Sequence, residues 1–451
     1  MLVFLQPSPQ SGKVEHSYNN NMNDYLFRLG SNPALSAAEL WTKLKREGYI
    51  PRLEAATAEL IMLRPEKTLP DDFLESLGGI DRITLLLGRQ SYPWKAEELL
   101  KVLSPASGQV WPKKFSLGIS TLNVKSDYAK KIGFEVKKLF KEKNVRVKFI
   151  LPQGKTSRLN AAQVIFNKLT SPPNRELAVI KNGDDYLLAK TLQVQDIQAY
   201  EKRDTGRPVR DARVGMLPPK LAQIMLNLVP EFAGSPPVIL DPFCGVGTVL
   251  QEGYLMGYEM IGADVSERMV EASRENVAWL KSHQQDSSRF KPLEESAGVS
   301  CYLFQHDVRE AFPKDLAGKV DAVVTEPDLG EPISTPLPRA GLEARMRKSA
   351  KLYGEFFTNV RPVLKDDGWV VFALPAFRQG LSVNSGFNLF PASFLDEVEK
   401  LGYCLDQLLP YELKQYYAAS ERGSIIYARP DALVGRELTL WHIKKPGARH
   451  N

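Results

Sequence analysis

Cysteine and histidine are scarce in this chain: Cys244, Cys301 and Cys404 are the only thiols among 451 residues, with five histidines beside them. No two cysteines have a C-x-x-C spacing, which excludes a disulfide framework and a zinc site of the usual pattern and makes metal-free chemistry the expectation. Long hydrophobic runs are missing as well. Met1 to Leu5 are apolar, but Pro7 and a polar run to Asp24 follow. Neither a secretory core nor a spanning helix is therefore expected, a membrane is not an expected partner, and the expected compartment is the cytoplasm. What is present is an ordinary soluble composition, 43% hydrophobic and 25% charged, at a length that calls for two or three domains.

One stretch organises the rest. Val238 to Asp241 reads as a buried parallel strand ending in a carboxylate; Pro242, Phe243, Cys244, Gly245, Val246 and Gly247 form a turn whose glycines let a ligand approach the backbone; and Thr248 to Met256 reads as a helix. Leu250 stands where a dinucleotide fingerprint wants its third glycine. A second strand, Met260 to Ala263, ends in Asp264, 23 positions after Asp241, where a carboxylate can accept both hydroxyls of a ribose. A dinucleotide site and a purely structural glycine turn stay open, because Gly-x-Gly alone is a weak signal.

Together the two strand ends resemble motifs I and II of the class I S-adenosylmethionine (SAM) methyltransferases. That resemblance implies SAM as cofactor. It places Asp241, Phe243, Gly245 and Gly247 at the methionine end with Thr248 beside them, Asp264 and Val265 at the ribose, and Asp307 and Val308 at the adenine, whose amino group Asp307 accepts. His306 reads as a polar loop residue rather than a base. Strands recur at Val238, Met260, Cys301, Ala322, Trp369, Cys404 and Ser424 with helices between the first five, which fits an α/β, Rossmann-like doubly wound sheet of seven strands with an antiparallel end strand.

Positive charge is concentrated in the middle of the chain. Lys101 to Gly215 holds 23 Lys and Arg against 10 Asp and Glu, a net +13 in a chain whose total is +6. An acidic polymer is the natural partner for such a segment, although a solvated lysine face would look the same from charge alone. Asp127 to Lys141 reads as a helix with Lys130, Lys131, Lys137, Lys138 and Lys141 on its exposed face, and Leu151 to Arg158 as a turn with two cations, Lys155 and Arg158. Upstream, Tyr25 to Gly30 alternates as a strand, and Ser36 followed by Glu39 reads as a capping box opening a helix. The order strand, basic helix, strand, turn, helix, strands resembles a THUMP domain preceded by its ferredoxin-like α+β partner, a pair that grips the acceptor end of tRNA in RNA-modifying enzymes.

Between 193 and 217 lies an arginine-rich linker, with Arg203, Arg207, Arg210 and Arg213 interleaved with Asp204 and Asp211; its arginines are expected to contact RNA, to form interdomain salt bridges, or both. Its run Arg203, Asp204, Thr205, Gly206, Arg207, Pro208 and then Gly215 to Lys220 resembles the junction in the tRNA guanine N2-methyltransferases acting on guanosine 10. From Tyr25 to Pro430 the chain resembles that family in domain order. The expected division is a disordered tail (1–23), a ferredoxin-like domain (24–102), a THUMP domain (103–192), the linker (193–217), a methyltransferase domain (218–434) and a basic tail (435–451). Lys130, Lys131, Lys137, Lys138, Lys155, Arg158, Arg207 and Arg210 are the expected RNA contacts. Eukaryotic relatives use a small zinc-binding activator subunit, so such a partner belongs to the same expectation.

The fourth strand ends Thr325, Glu326, Pro327, Asp328, Leu329, Gly330. Methyltransferases acting on exocyclic amines usually carry Asp or Asn, Pro, Pro and an aromatic there. By resemblance Glu326 and the Pro327 carbonyl accept the amine hydrogens, whereas Asp328 and Leu329 depart from the pattern, an apolar face surviving at Leu329 without a stacking ring. Phe243, Phe377 and Phe387 are candidates to supply one. The expectation is direct transfer of a methyl group to N2 of a tRNA guanosine, without a covalent enzyme intermediate. An rRNA or DNA amino-methyltransferase, or a non-catalytic RNA-binding protein with a vestigial SAM site, are the alternatives.

Overall fold

The computed structural model describes residues 3–4, 23–104, 110–125, 127–153, 156–211, 216–233, 235–283 and 300–444. In chain order to Val194 the elements are β1 (Val3–Phe4), β2 (Tyr25–Leu29), α1 (Pro33–Arg46), β3 (Arg52–Ala56), β4 (Leu60–Arg64), β5 (Ile80–Gln90), α2 (Ala96–Leu103), β6 (Lys114–Leu122), α3 (Tyr128–Glu142), β7 (Arg146–Ile150), α4 (Ala161–Phe166), β8 (Arg175–Asn182) and β9 (Asp185–Val194). Then follow α5 (Ile197–Asp204), α6 (Pro219–Asn227), β10 (Val238–Asp241), α7 (Thr248–Leu255), β11 (Glu259–Asp264), α8 (Glu267–His283), β12 (Cys301–Gln305), β13 (Val320–Thr325), α9 (Arg339–Val360), β14 (Leu364–Arg378), β15 (Phe387–Asn388), α10 (Ala392–Lys400), β16 (Tyr403–Asp406), β17 (Ile425–Tyr427) and β18 (Val434–Ile443). No helix among the described residues is long and apolar enough to cross a membrane.

The chain divides into two compact units, the second comprising Asn32–Glu47, Leu77–Gly79 and Gln198–Asn451. In the first unit one sheet runs in the order β1-β3-β4-β2-β5-β9-β8-β6-β7. The boundary expected at residue 102 is thus no break in the sheet. β5 is 11 residues long, and one edge pairs with β2 while the other pairs with β9 from Arg82↔Val194 to Gln90↔Tyr186. A buried ion pair fastens the same seam: Arg82 Nη1 donates to Glu176 at 2.5 Å and Arg82 Nη2 to the Leu159 carbonyl at 2.9 Å, while Thr191 donates to the other Glu176 oxygen at 2.8 Å. Val3 and Phe4, inside the segment expected to be disordered, pair antiparallel with β3.

α3 forms as its pattern demands. Ala129, Ile132, Val136 and Phe140 are buried on one stripe, and the five lysines are exposed on the other. Gly133 is needed on the buried stripe because a Cβ there would collide with the Phe149 ring.

α1 belongs to the second unit, and its cap differs from the expected box. Asn32 is the N-cap, accepting from the Leu35 amide at 3.2 Å, with Pro33 at the first helical position. Glu39 instead lies buried mid-helix, accepting from the Gly78 and Gly79 amides and from Asn227. A tertiary partner outcompetes the local motif.

The second unit's sheet runs β12-β11-β10-β13-β14-β18-β16, with β15 added on β14 and β17 on β18. The first five strands are parallel, and β18 is antiparallel to both neighbours. This is a Rossmann-like doubly wound sheet, and its order reverses at β10, so the crevice beyond the carboxyl ends of β10, β11 and β13 is the topological switch point. Two expectations are corrected here. The seventh strand is Val434–Ile443 rather than the stretch at Ser424, which forms only the three-residue β17; and residues 435–443 are sheet, not tail. The charges that read as a solvated tail are paired: Glu437 with Arg422 and Arg436 with Glu326. On one face Tyr353, Phe356 and Phe357 of α9 pack with Phe372, Tyr403 and Trp441, while of the first half of that helix Met346 packs against the same cluster.

Removing one partner of a buried ion pair leaves an uncompensated charge, which costs about 3–5 kcal/mol. Arg82→Ala is therefore expected to lower the unfolding free energy by that order in urea titrations followed by tryptophan fluorescence; a change below about 1 kcal/mol would show that the seam does not depend on the pair.

Candidate active site

β10 delivers Asp241 to the switch point, buried, with the Thr325 hydroxyl donating to it at 2.6 Å and the Phe243 amide at 3.3 Å. Burial pushes its carboxyl up from 3.8 to about 7, and the neighbouring Asp264 and Glu326 add to the rise while these two donors oppose it. The turn that follows needs its glycines: Gly245 and Gly247 have φ of +52° and +85°, and a Cβ on Gly247 would stand 2.9 Å from the Ser273 hydroxyl. Gly247 caps α7.

Asp264, at the end of β11, accepts from the Gly245 amide at 3.0 Å and the Ser266 amide at 2.9 Å. It thereby holds the glycine turn while lining the crevice. Burial raises its pKa, and the two amides hold it back.

A cleft of about 1090 Å³ opens over these strand ends. It is lined by Asp241, Phe243, Gly245, Thr248, Asp264, Val265, Asp307 and Val308 and by Glu326, Pro327, Asp328 and Leu329. The structure thus brings together every expected cofactor and catalytic residue except Gly247, which backs onto Ser273. The space is that of a full-sized ligand site. Asp307 is engaged: Arg309 holds its carboxylate at 2.9 and 3.0 Å and takes its pKa down to about 2. His306 packs against Phe312 with ring centroids 4.2 Å apart, and desolvation lowers its pKa.

The loop after β13 is clamped by three side chains from two elements that no local pattern announces. Arg436 of β18 makes a two-pronged ion pair with Glu326, with Nη2 to Oε2 at 3.2 Å. Burial raises the Glu326 pKa, and the Arg436 guanidinium counters it. From α9, the Tyr353 hydroxyl donates to the Asp328 carbonyl at 2.7 Å, and Arg345 donates to the carbonyls of Leu329 and Glu331. Asp328 itself is exposed and accepts from the Gly330 amide at 2.8 Å. Of the three candidate rings, Phe377 is only 2% exposed and Phe387 lies under Arg378, so Phe243 alone of the three reaches the cleft.

Two linker arginines serve the site from behind. Arg207 is 2% exposed, and its Nη1 donates to the Thr248 hydroxyl at 2.8 Å and to Gln251 at 3.3 Å. Arg203 pairs with Glu252 on the same helix. The expected RNA contact at Arg207 is therefore corrected: burial removes it from any phosphate, and its function is to brace α7. Arg210 is exposed, as are Lys130, Lys131, Lys137 and Lys138. Arg158 pairs with Glu59 at 2.7 Å, and Lys155 lies outside the described residues.

The chain is similar to several known proteins. A family described as "RMKL-like, methyltransferase domain" matches residues 207–385. A "probable tRNA (guanine(10)-N2)-dimethyltransferase" of Methanothermococcus thermolithotrophicus is 35% identical over 155 residues, which are 34% of this chain and 78% of that protein. The chain belongs to the tRNA (guanine(10)-N2)-dimethyltransferase family. A further relative, the tRNA (guanine(10)-N2)-dimethyltransferase of Methanothermobacter thermautotrophicus, is 37% identical over 197 residues, 43% of this chain and 49% of the relative, so this chain spans about half that protein's length. Among solved structures, TrmN from Thermus thermophilus aligns over 93% of this chain and 99% of its own at 15% identity, with a TM-score of 0.47.

Asp241 yields a pH signature for this member of the family. An acid whose pKa is raised by folding binds more protons folded than unfolded between about pH 4 and 7, so it lowers stability as pH rises through that window. Asp241→Asn removes the effect. Its melting temperature is expected to gain on the wild type's between pH 5 and pH 8, by an amount equivalent to about 2 kcal/mol or more; parallel curves at the two pH values would place the carboxylate elsewhere in the balance.

Proposed function

We propose that the second unit transfers a methyl group from SAM to N2 of a guanosine in RNA, with tRNA at a position-10-type guanosine as the substrate. The observation that carries the reading is that Glu326 and Pro327, at the end of β13, open into the same cleft as Asp241 and Asp264, at the ends of β10 and β11. Donor-side and acceptor-side groups thereby meet at one point of the sheet. The residues present fit the cofactor. Gly245 has nothing within 4 Å of where a Cβ would be, which leaves its backbone approachable. Asp241 is a buried carboxyl that a nearby cation would return to its ionised form, and His306 has a buried Nε2 without a partner among the described residues.

When bound, SAM supplies an electrophilic methyl group on a cationic sulfur. Asp264 keeps a free lone pair on each oxygen for ribose hydroxyls, since each oxygen accepts one backbone amide. Glu326 likewise has acceptor sites left after Arg436 has taken its share. It would accept a hydrogen of the guanine amine and so orient the nitrogen lone pair toward the cofactor side of the cleft, with the amine's surplus proton passing to water. Holding Glu326 ionised in a buried position is the task of Arg436.

The first unit supports the RNA side of the reading as the THUMP-like part. α3 presents Lys130, Lys131, Lys137 and Lys138 around Phe134, a phenylalanine 54% exposed at the centre of that face. Cations with an interleaved ring suit a nucleic-acid strand. Asp328 and Leu329 favour a second reading, a non-catalytic RNA-binding protein with a retained SAM site.

The test is tritium transfer from labelled SAM to total tRNA and to rRNA, with SAM affinity measured by calorimetry. Transfer to tRNA is expected, whereas binding without transfer to either RNA favours the second reading. Asp264→Ala is expected to abolish SAM binding, and Glu326→Ala to lower turnover by about 10²-fold or more with SAM binding intact. Arg436→Met raises the Glu326 pKa further, so its turnover is expected to fall at neutral pH and recover as pH rises; an unshifted acidic limb, or full turnover in Glu326→Ala, would remove the assigned role.

A further inference from the structure

A base taken out of a helix loses its stacking partners and needs an apolar or planar surface in the pocket that receives it. The catalytic loop itself offers only Leu329, a half-buried aliphatic chain. Arg345, in the first half of α9, lines the cleft beside it and is held in place unusually firmly for an arginine. Its Nη2 donates to the carbonyls of Leu329, at 3.4 Å, and Glu331. Its guanidinium lies over the buried Phe377 ring, 5.5 Å from the centroid. Gly330, at φ +83°, lets it approach: a Cβ there would stand 2.7 to 3.0 Å from Nη2, Nε and Cζ. Its Nε is buried without a partner among the described residues.

We propose that Arg345 is the stacking surface for the purine, its guanidinium plane taking the base face that Leu329 cannot. The inference rests on the cleft being a base-methylating site. A phosphate contact is a poorer assignment for this residue, because its Nη2 is engaged by the loop carbonyls, its Nε is buried away from any phosphate, and its plane is held against Phe377. Lys348 and Lys351, which also line the cleft and are exposed, are mobile point charges better suited to phosphate. The fixed plane makes Arg345 a specificity residue: it favours the wide purine ring over a pyrimidine.

The test uses the full chain and compares wild type, Arg345→Lys, Leu329→Tyr and the double variant, reading kcat/KM for tRNA and the Kd of SAM. Arg345→Lys keeps the charge and loses the plane. It is expected to lose about 5- to 150-fold in kcat/KM, the range that corresponds to one stacked base, with SAM affinity unchanged. Leu329→Tyr is expected to restore most of that loss in the double variant by putting a ring on the adjacent residue, which a merely structural role for Arg345 would not allow. Wild-type kcat/KM in Arg345→Lys, or a loss that Leu329→Tyr leaves untouched, overturns the proposal. A wild-type protein that binds SAM and methylates no RNA overturns the reading of the cleft instead, and the stacking role with it.

Discussion

Glu326 occupies a nearly dry position at the end of a central strand, and a carboxylate there is tolerable only because Arg436 meets it with two donors. The desolvation of a lone charge would be several kcal/mol, more than a small fold can absorb without yielding elsewhere. The place of β18 in the second unit's sheet meets that requirement. β18 has to return antiparallel between β14 and β16 so that Arg436, opposite Pro375, arrives beside the loop after β13. The last described strand of the chain thus completes the site that the fourth strand of the sheet begins.

The same economy recurs on the cofactor side. Asp264 both faces the cleft and pins the Gly245 amide, so this carboxylate and the glycine turn are one assembly rather than two features. Behind them Arg203 and Arg207 hold α7 through Glu252, Thr248 and Gln251. In each case a charge that would be a liability if buried alone is used to fix a backbone segment that has to stay still while a ligand enters.

α9 divides these duties along its length. Its second half, with Tyr353, Phe356 and Phe357, is core, and its first half brings Arg345 and Lys348 to the cleft. Tyr353 is the hinge between the two, since its ring packs in the core and its hydroxyl fixes the Asp328 carbonyl. The loop is therefore tied to the hydrophobic core through the side chain of Tyr353.

The parallel strands, the glycine turn, Asp241, Asp264 and the loop from Glu326 to Leu329 were legible in the chain because each depends on local chemistry: a short apolar run, a positive φ, a carboxylate at a strand end. So was the basic face of α3, whose period alone separates lysines from core. The continuous sheet of the first unit, the true seventh strand, the inward turn of Arg207 and the partnership of Arg436 with Glu326 were not. Arg436 and Glu437 look like a tail until partners 110 and 15 residues away are brought beside them. Sequence by itself determined which segments bury apolar surface and which backbone positions bend; only tertiary structure decided where the charges went, because the free energy of a buried ion belongs to the pair, and the pair does not exist until the chain has folded.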